Sequence, residues 1–96
     1  MKLNIDQRKL EEFCQNSGIS YLALFGSHAR GDARESSDID LLVDFNEEKS
    51  LLDHVRLENN LEGLLGKKVD MVTRRSLHPY IKEYVMEDIE PLYGEK

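Results

Sequence analysis

The most constraining stretch of this chain is residues 38–45, DIDLLVDF. Strict alternation there puts Ile39, Leu41, Val43 and Phe45 on one face and Asp38, Asp40, Leu42 and Asp44 on the other. The pattern is a strand with one face packed under helices and the other acidic. Two aspartates at i and i+2 on a strand point the same way, with Cα atoms ~6–7 Å apart, so their carboxylates can converge on one site. A D-x-D pair by itself is more often a solvated strand face, because such short patterns arise freely. Here the pair sits in a strongly apolar strand, where it is costly without counter-charge, and bound divalent metal offsets both the repulsion and the desolvation. Asp44 stands at the strand's end next to Asn46 and Glu47 and is read as exposed, not as a ligand.

The elements around this strand follow from local pattern. Residues 6–17 place Leu10, Phe13, Cys14 and Ser17 at helical spacing, with Asp6 as N-cap and Gly18 as stop. Cys14 reads as an apolar filler, since no cationic neighbour would activate it. Residues 19–25, ISYLALF, are a nearly continuous apolar run, as expected of a central strand covered on both faces. Gly26 and Ser27 end it abruptly and lead into a short helical turn and the polar loop GDARESS. Residues 50–65 read as a helix whose stripe of Leu51, Leu52 and Val55 is rotated from that of Leu57, Leu61, Leu64 and Leu65, which predicts a kink or two-sided burial. Residues 67–73, KKVDMVT, form a third strand in which Val69 and Met71 alternate with Asp70 and Val72. Pro79 opens a last helix with Tyr80, Ile81, Tyr84 and Val85 along one stripe, and IEPLY adds an edge strand. The fold class is therefore α/β (α+β): a small mixed β-sheet with helices packed mainly on one face, in a single domain spanning 1–96.

Composition removes several classes of function. Nineteen acidic against thirteen basic residues give a net charge of -6, which disfavours a duplex-coating role and direct nucleic-acid binding. Locally the balance reverses, because His28, Arg30 and Arg34 crowd together just after Gly26 and can receive a polyanion. One cysteine, no apolar leader at the start and no run near the ~20 residues of a membrane span place the chain in the cytoplasm. His54 and His78 lack a partner at any zinc spacing and are read as surface residues. Lys67-Lys68 and Arg74-Arg75 bracket the third strand and are read as protection of a sheet edge.

The chemistry lies where these pieces meet. Asp70 points away from the core-facing Val69 and Met71, so on a strand ~4.8 Å from the D-x-D strand it can join Asp38 and Asp40. Three hard oxygen donors suit two divalent cations of the kind used in in-line phosphoryl displacement. Gly26 lets a phosphate approach the backbone, and Ser27 can donate its hydroxyl at the N-terminus of the following turn, with simple helix capping as the competing role. Arg30 and Arg34 are candidates to offset remaining triphosphate charge.

Gly26-Ser27, ten residues, then Asp38-x-Asp40 resembles the signature of the DNA polymerase beta-like nucleotidyltransferase superfamily. GSHARGDARESSDIDLLVDF is especially similar to the minimal nucleotidyltransferases, and LEGLLGKKVDMVT to their third-carboxylate strand. The resemblance covers most of residues 19–75. It implies that Asp38, Asp40 and Asp70 bind two Mg²⁺, that Asp70 helps an acceptor hydroxyl attack, and that Gly26 and Ser27 hold the triphosphate of ATP. It also implies an antitoxin paired with a HEPN ribonuclease toxin in a hetero-oligomer, transferring AMP to a tyrosine of that toxin. Two alternatives stand beside it. One is a non-catalytic binder that neutralises its partner by occlusion, with Tyr80, Ile81, Tyr84 and Tyr93 as aromatic anchors unless the last helix simply packs on its own sheet. The other is a transferase acting on a small molecule such as an aminoglycoside, for which this length leaves little surface. Template-directed polymerisation ranks last.

Overall fold

The structure, a computed structural model, describes residues 6–94. Residues 1–5, on which the expected lack of an apolar leader partly rests, lie outside the described residues. Helix α1 (Gln7–Asn16) is capped by the Asp6 carboxylate, which accepts from the Arg8 amide at 2.9 Å, and buries Leu10 and Cys14. Strand β1 (Ile19–Phe25) leads through Gly26 into a single turn, α2 (Ser27–Arg30). After the loop come β2 (Ile39–Phe45), α3 (Leu51–Leu65) and β3 (Val69–Thr73). A 3₁₀ turn at Arg74–Ser76, α4 (Pro79–Asp88) and β4 (Glu90–Tyr93) complete the chain.

The sheet order is β3-β2-β1-β4, with β1 antiparallel to β2 and β4, and β3 parallel to β2. A parallel neighbour needs a crossover, and α3 supplies it. Alternation then sorts the side chains. Leu22, Leu24, Ile39, Leu41, Val43, Val69 and Met71 form the main core under α1 and α3, with Ala29 of α2 packed at its margin. Tyr21, Ala23 and Leu42 form a smaller core on the opposite face, covered by Met86 and Ile89 at the end of α4. The expected strands and helices, and the concentration of helices on one face, are present. Burial pushes the Cys14 thiol up to about 12, with Glu11 adding to the effect, so it is an inert filler at neutral pH.

Several side chains sit elsewhere than expected. Helix α3 is continuous, and Leu51, Leu52 and Val55 are neither kinked inward nor buried but exposed to solvent. The stripe on α4 is divided in the same way. Val85 is buried, whereas Tyr80, Ile81 and Tyr84 face outward, and Tyr93 is half-buried against the main core. Asp44 is not exposed: its side chain is 24% accessible and both carboxylate oxygens accept from Arg74 Nε, at 3.2 and 3.1 Å. The Arg74 guanidinium also lies 5.3 Å from the Tyr21 ring centroid, so this arginine is drawn onto the sheet face and does not guard its edge.

The edge is protected from α3. Glu58 accepts from the Met71 amide at 2.7 Å, Glu62 from the Val69 amide at 3.0 Å, and His54 Nε2 lies 2.7 Å from the Met71 carbonyl oxygen. His54, Glu58 and Glu62 are spaced i, i+4, i+8, so one row of helix side chains substitutes for a missing strand. His54 is therefore part of the packing and not a free surface residue, while His78 caps α4 through Nδ1, which accepts from the Tyr80 amide at 3.3 Å. Replacing Glu58 by alanine strands a partly buried amide and is expected to cost about 1–3 kcal/mol, with glutamine losing less. Urea unfolding and hydrogen exchange at Met71 check this.

Candidate active site

The pairing register brings the acids together. Asp40 on β2 is the Cα partner of Asp70 on β3 across the parallel ladder, and Phe25 at the end of β1 is the Cα partner of Asp40 on the other side. Asp40 and Asp70 both point away from the main core, and Asp38 precedes β2 by one residue on the same side. Gly26, immediately after β1, comes so close to the pair that a Cβ there would collide with Asp40 Oδ2. The glycine turn and the carboxylates are thus one construction.

Electrostatics describes the same closeness. The Asp40 carboxyl is raised above its ordinary value of 3.8, first by burial and then by the charges of Asp70 and Asp38, while His28 and Arg30 act in the lowering direction. None of the three carboxylates has a side-chain hydrogen bond or ion pair among the described residues. The donors are all hard oxygens, which suits Mg²⁺ and not a softer metal. As they stand, the side chains are not drawn tightly around one point: among the described residues no three acidic, imidazole or thiol groups are gathered closely enough to grip an ion. The fit is in the unneutralised acids and the donor chemistry, and closure around an ion would require side-chain rotation.

The turn before them has free donors. The Arg30 amide donates to the Gly26 carbonyl at 3.1 Å, the first bond of α2, which leaves the amides of Ser27, His28 and Ala29 at its head without intrahelical partners. Gly26 is the N-cap and Ser27 the first helical residue, so the hydroxyl of Ser27 is not consumed by capping. Arg30 is held between Asp32 at 3.3 Å and Asp88 at 3.5 Å, within electrostatic reach of Asp40. Arg34 lines a hollow of about 380 Å³ with His28, Glu35 and Lys67, which none of the three aspartates borders.

His28 takes a different place from the polyanion contact its sequence position suggests. His28 is buried, with Nε2 3.4 Å from the Ser37 carbonyl oxygen, and so ties α2 to the residue preceding Asp38. A hollow of about 560 Å³ opens at the far end of β2 among Phe45, Lys49, His54 and Arg74, and none of the three aspartates lines it.

A mixed sheet in which a glycine-serine turn abuts aspartates on two adjacent strands, with a third one residue before β2, fits a nucleotidyltransferase. The chain belongs to the nucleotidyltransferase domain family, whose profile matches residues 7–91. Within that family it is similar to small proteins named protein adenylyltransferases. A protein of Methanocaldococcus jannaschii with the provisional name protein adenylyltransferase MJ0435 is 44% identical over 88 residues, covering 92% of this chain and 95% of that one. Protein adenylyltransferase MntA of Thermococcus cleftensis is 43% identical over 79 residues, covering 82% and 80%. A solved structure provisionally named a minimal nucleotidyltransferase superposes with a TM-score of 0.76 at 47% identity, covering 88% of this chain and 87% of that one. The fold alone is shared, at 22% identity and a TM-score of 0.69, with a complex of tri-AMPylated Shewanella oneidensis HEPN toxin and MNT antitoxin, covering 93% and 70%.

Proposed function

We propose that this chain is a Mg²⁺-dependent protein adenylyltransferase that moves AMP from ATP to a tyrosine hydroxyl of a cognate HEPN ribonuclease toxin, and thereby acts as its antitoxin. The observation that carries the reading is the Asp40–Asp70 register pair abutted by Gly26. The acceptor is inferred from relatives named for protein adenylylation and from the like-folded antitoxin found with an AMPylated toxin.

In this reading Asp38, Asp40 and Asp70 hold two Mg²⁺. When bound, the metal supplies positive charge against the triphosphate and the oxygens that gain charge during transfer. The amides heading α2 and the Ser27 hydroxyl receive phosphate oxygens, and Gly26 keeps the backbone low enough for them to approach. Arg30 offsets triphosphate charge, with Arg34 as a second cation from the flank. The tyrosine oxygen bonds to the α-phosphorus as the bond from that phosphorus to the bridging oxygen breaks. Asp70 takes the phenolic proton and pyrophosphate leaves.

Among the described residues no helix is long and apolar enough to cross a membrane; the proposed setting is the cytoplasm, in a hetero-oligomer with the toxin. A second reading, neutralisation by occlusion without chemistry, is favoured by the outward aromatic face of α4. Incubating the chain with ATP, Mg²⁺ and the HEPN protein, then weighing the HEPN protein intact, should show added AMP. No gain in mass at saturation would sink the transferase reading, and neutralisation that survives Asp38→Ala/Asp40→Ala would establish occlusion.

A further inference from the structure

The outward stripe of α4 has no role in the site as described. Tyr80, Ile81 and Tyr84 are 79%, 55% and 71% exposed, although the helix is anchored to the sheet by Val85, Met86 and the following Ile89. At 100° per residue, positions 80, 81, 84 and 88 share one face. The last of these, Asp88, reaches Arg30 Nη1 at 3.5 Å, and Arg30 ends the turn that begins at Ser27. The stripe therefore runs along α4 to the rim of the aspartate site. At 1.5 Å per residue, Tyr84 stands roughly 6 Å and Tyr80 roughly 12 Å from Asp88 along the axis.

We infer that this face of α4 is the docking surface for the acceptor protein, the aromatic stripe gripping an apolar patch on it and bringing its tyrosine to the three aspartates. The inference rests on the transferase reading above for the identity of the acceptor. Charge chooses the occupant. Exposed Glu83 and Glu87 border the stripe and the chain carries a net charge of -6, so the matching surface is apolar and edged with Lys or Arg. A ribonuclease carries such cations because its own substrate is a polyanion. Large exposed aromatics at a surface of this kind are the residue types that dominate binding energy.

Position separates this stripe from the other exposed apolar cluster. Leu51, Leu52 and Val55 belong to α3, whose Leu57, Leu61, Leu64 and Leu65 pack on the sheet face opposite Asp40. That cluster has no continuity with the site and serves as a control.

The test compares wild type, Tyr80→Ser/Tyr84→Ser and Leu51→Ser/Leu52→Ser, each shown to be folded by circular dichroism, against the purified HEPN protein. Binding is measured by calorimetry without ATP, and transfer by intact mass with ATP and Mg²⁺. The α4 variant should weaken binding and raise the KM for the HEPN protein by about 30-fold or more, with the KM for ATP unchanged and the α3 variant like wild type. Transfer by the α4 variant with an unaltered KM overturns the docking inference and leaves the transferase reading standing. Tight binding that depends on α4 but adds no AMP does the reverse. Failure of the wild type to bind the HEPN protein, or a concentration-dependent dimer of the chain alone that the α4 substitutions abolish, also overturns it.

Discussion

Replacement of Asp40 by asparagine is expected to reduce AMP transfer by about 10³-fold or more, equivalent to roughly 4 kcal/mol of transition-state stabilisation, while leaving the fold intact and more resistant to unfolding in the absence of Mg²⁺. The two effects have one cause. Asp40 is the most enclosed of the three acids and is pressed by burial, by Asp70 and by Asp38, so its ionised form is disfavoured in the native chain. The sign follows from linkage. A folded pKa raised above the unfolded value means that the native state binds more protons between the two, so stability falls as pH rises through that window. The penalty is complete above the raised value and disappears as pH falls below the ordinary 3.8. Asparagine cannot ionise, so the variant should lose this slope. Mg²⁺ should stabilise wild type by mass action and the variant much less. Unfolding curves between pH 4 and 7, with EDTA or with Mg²⁺, check the stability arm, and intact mass of the acceptor checks the chemistry. Activity within tenfold of wild type would remove Asp40 from the metal site.

The parts of this design that were legible in the sequence are those fixed by short-range periodicity. Alternation over residues 38–45 and 69–72 assigns faces correctly because a strand's period is two, and the departure at Asp44 is that it is covered by Arg74 and not exposed. That departure has a physical source: Arg74, thirty residues later, is brought beside Asp44 by the β2–β3 register, a contact no local pattern announces. The edge row of His54, Glu58 and Glu62 was hidden for the same reason. On a helix such residues read as solvated, and only the tertiary placement of α3 over β3 turns them toward backbone amides. Leu51, Tyr80 and Tyr84 show the converse limit. An apolar stripe has the same spacing whether it covers a chain's own core or is presented to a partner, and burial alone separates the two. His28, polar and next to cations, reads in the sequence as a polyanion contact, yet it is enclosed and fastens the loop ahead of Asp38.

Gly26 joins the two halves of the site and carries the other large effect. Its φ of 75° and ψ of -152° lie in a region open essentially to glycine alone, so alanine there should cost about 1–3 kcal/mol from backbone strain. Strain is the smaller consequence, because the new Cβ would meet Asp40 Oδ2 and must displace either the carboxylate or the turn that heads α2. Either movement separates the phosphate donors from the acids, and a displacement of about 1 Å in such a constellation costs on the order of 10²-fold in rate. Gly63→Ala is the matched control. Gly63 lies inside α3 with nothing within 4 Å of an added Cβ, and its replacement should raise stability by roughly 0.5–1 kcal/mol without touching activity. A double-mutant cycle then isolates the contact. In an Asp40→Ala background the Gly26→Ala substitution keeps its backbone strain but loses the collision, so its cost to stability should shrink. An unchanged cost would mean that the turn and the carboxylate are set independently, and that Gly26 serves the backbone conformation alone.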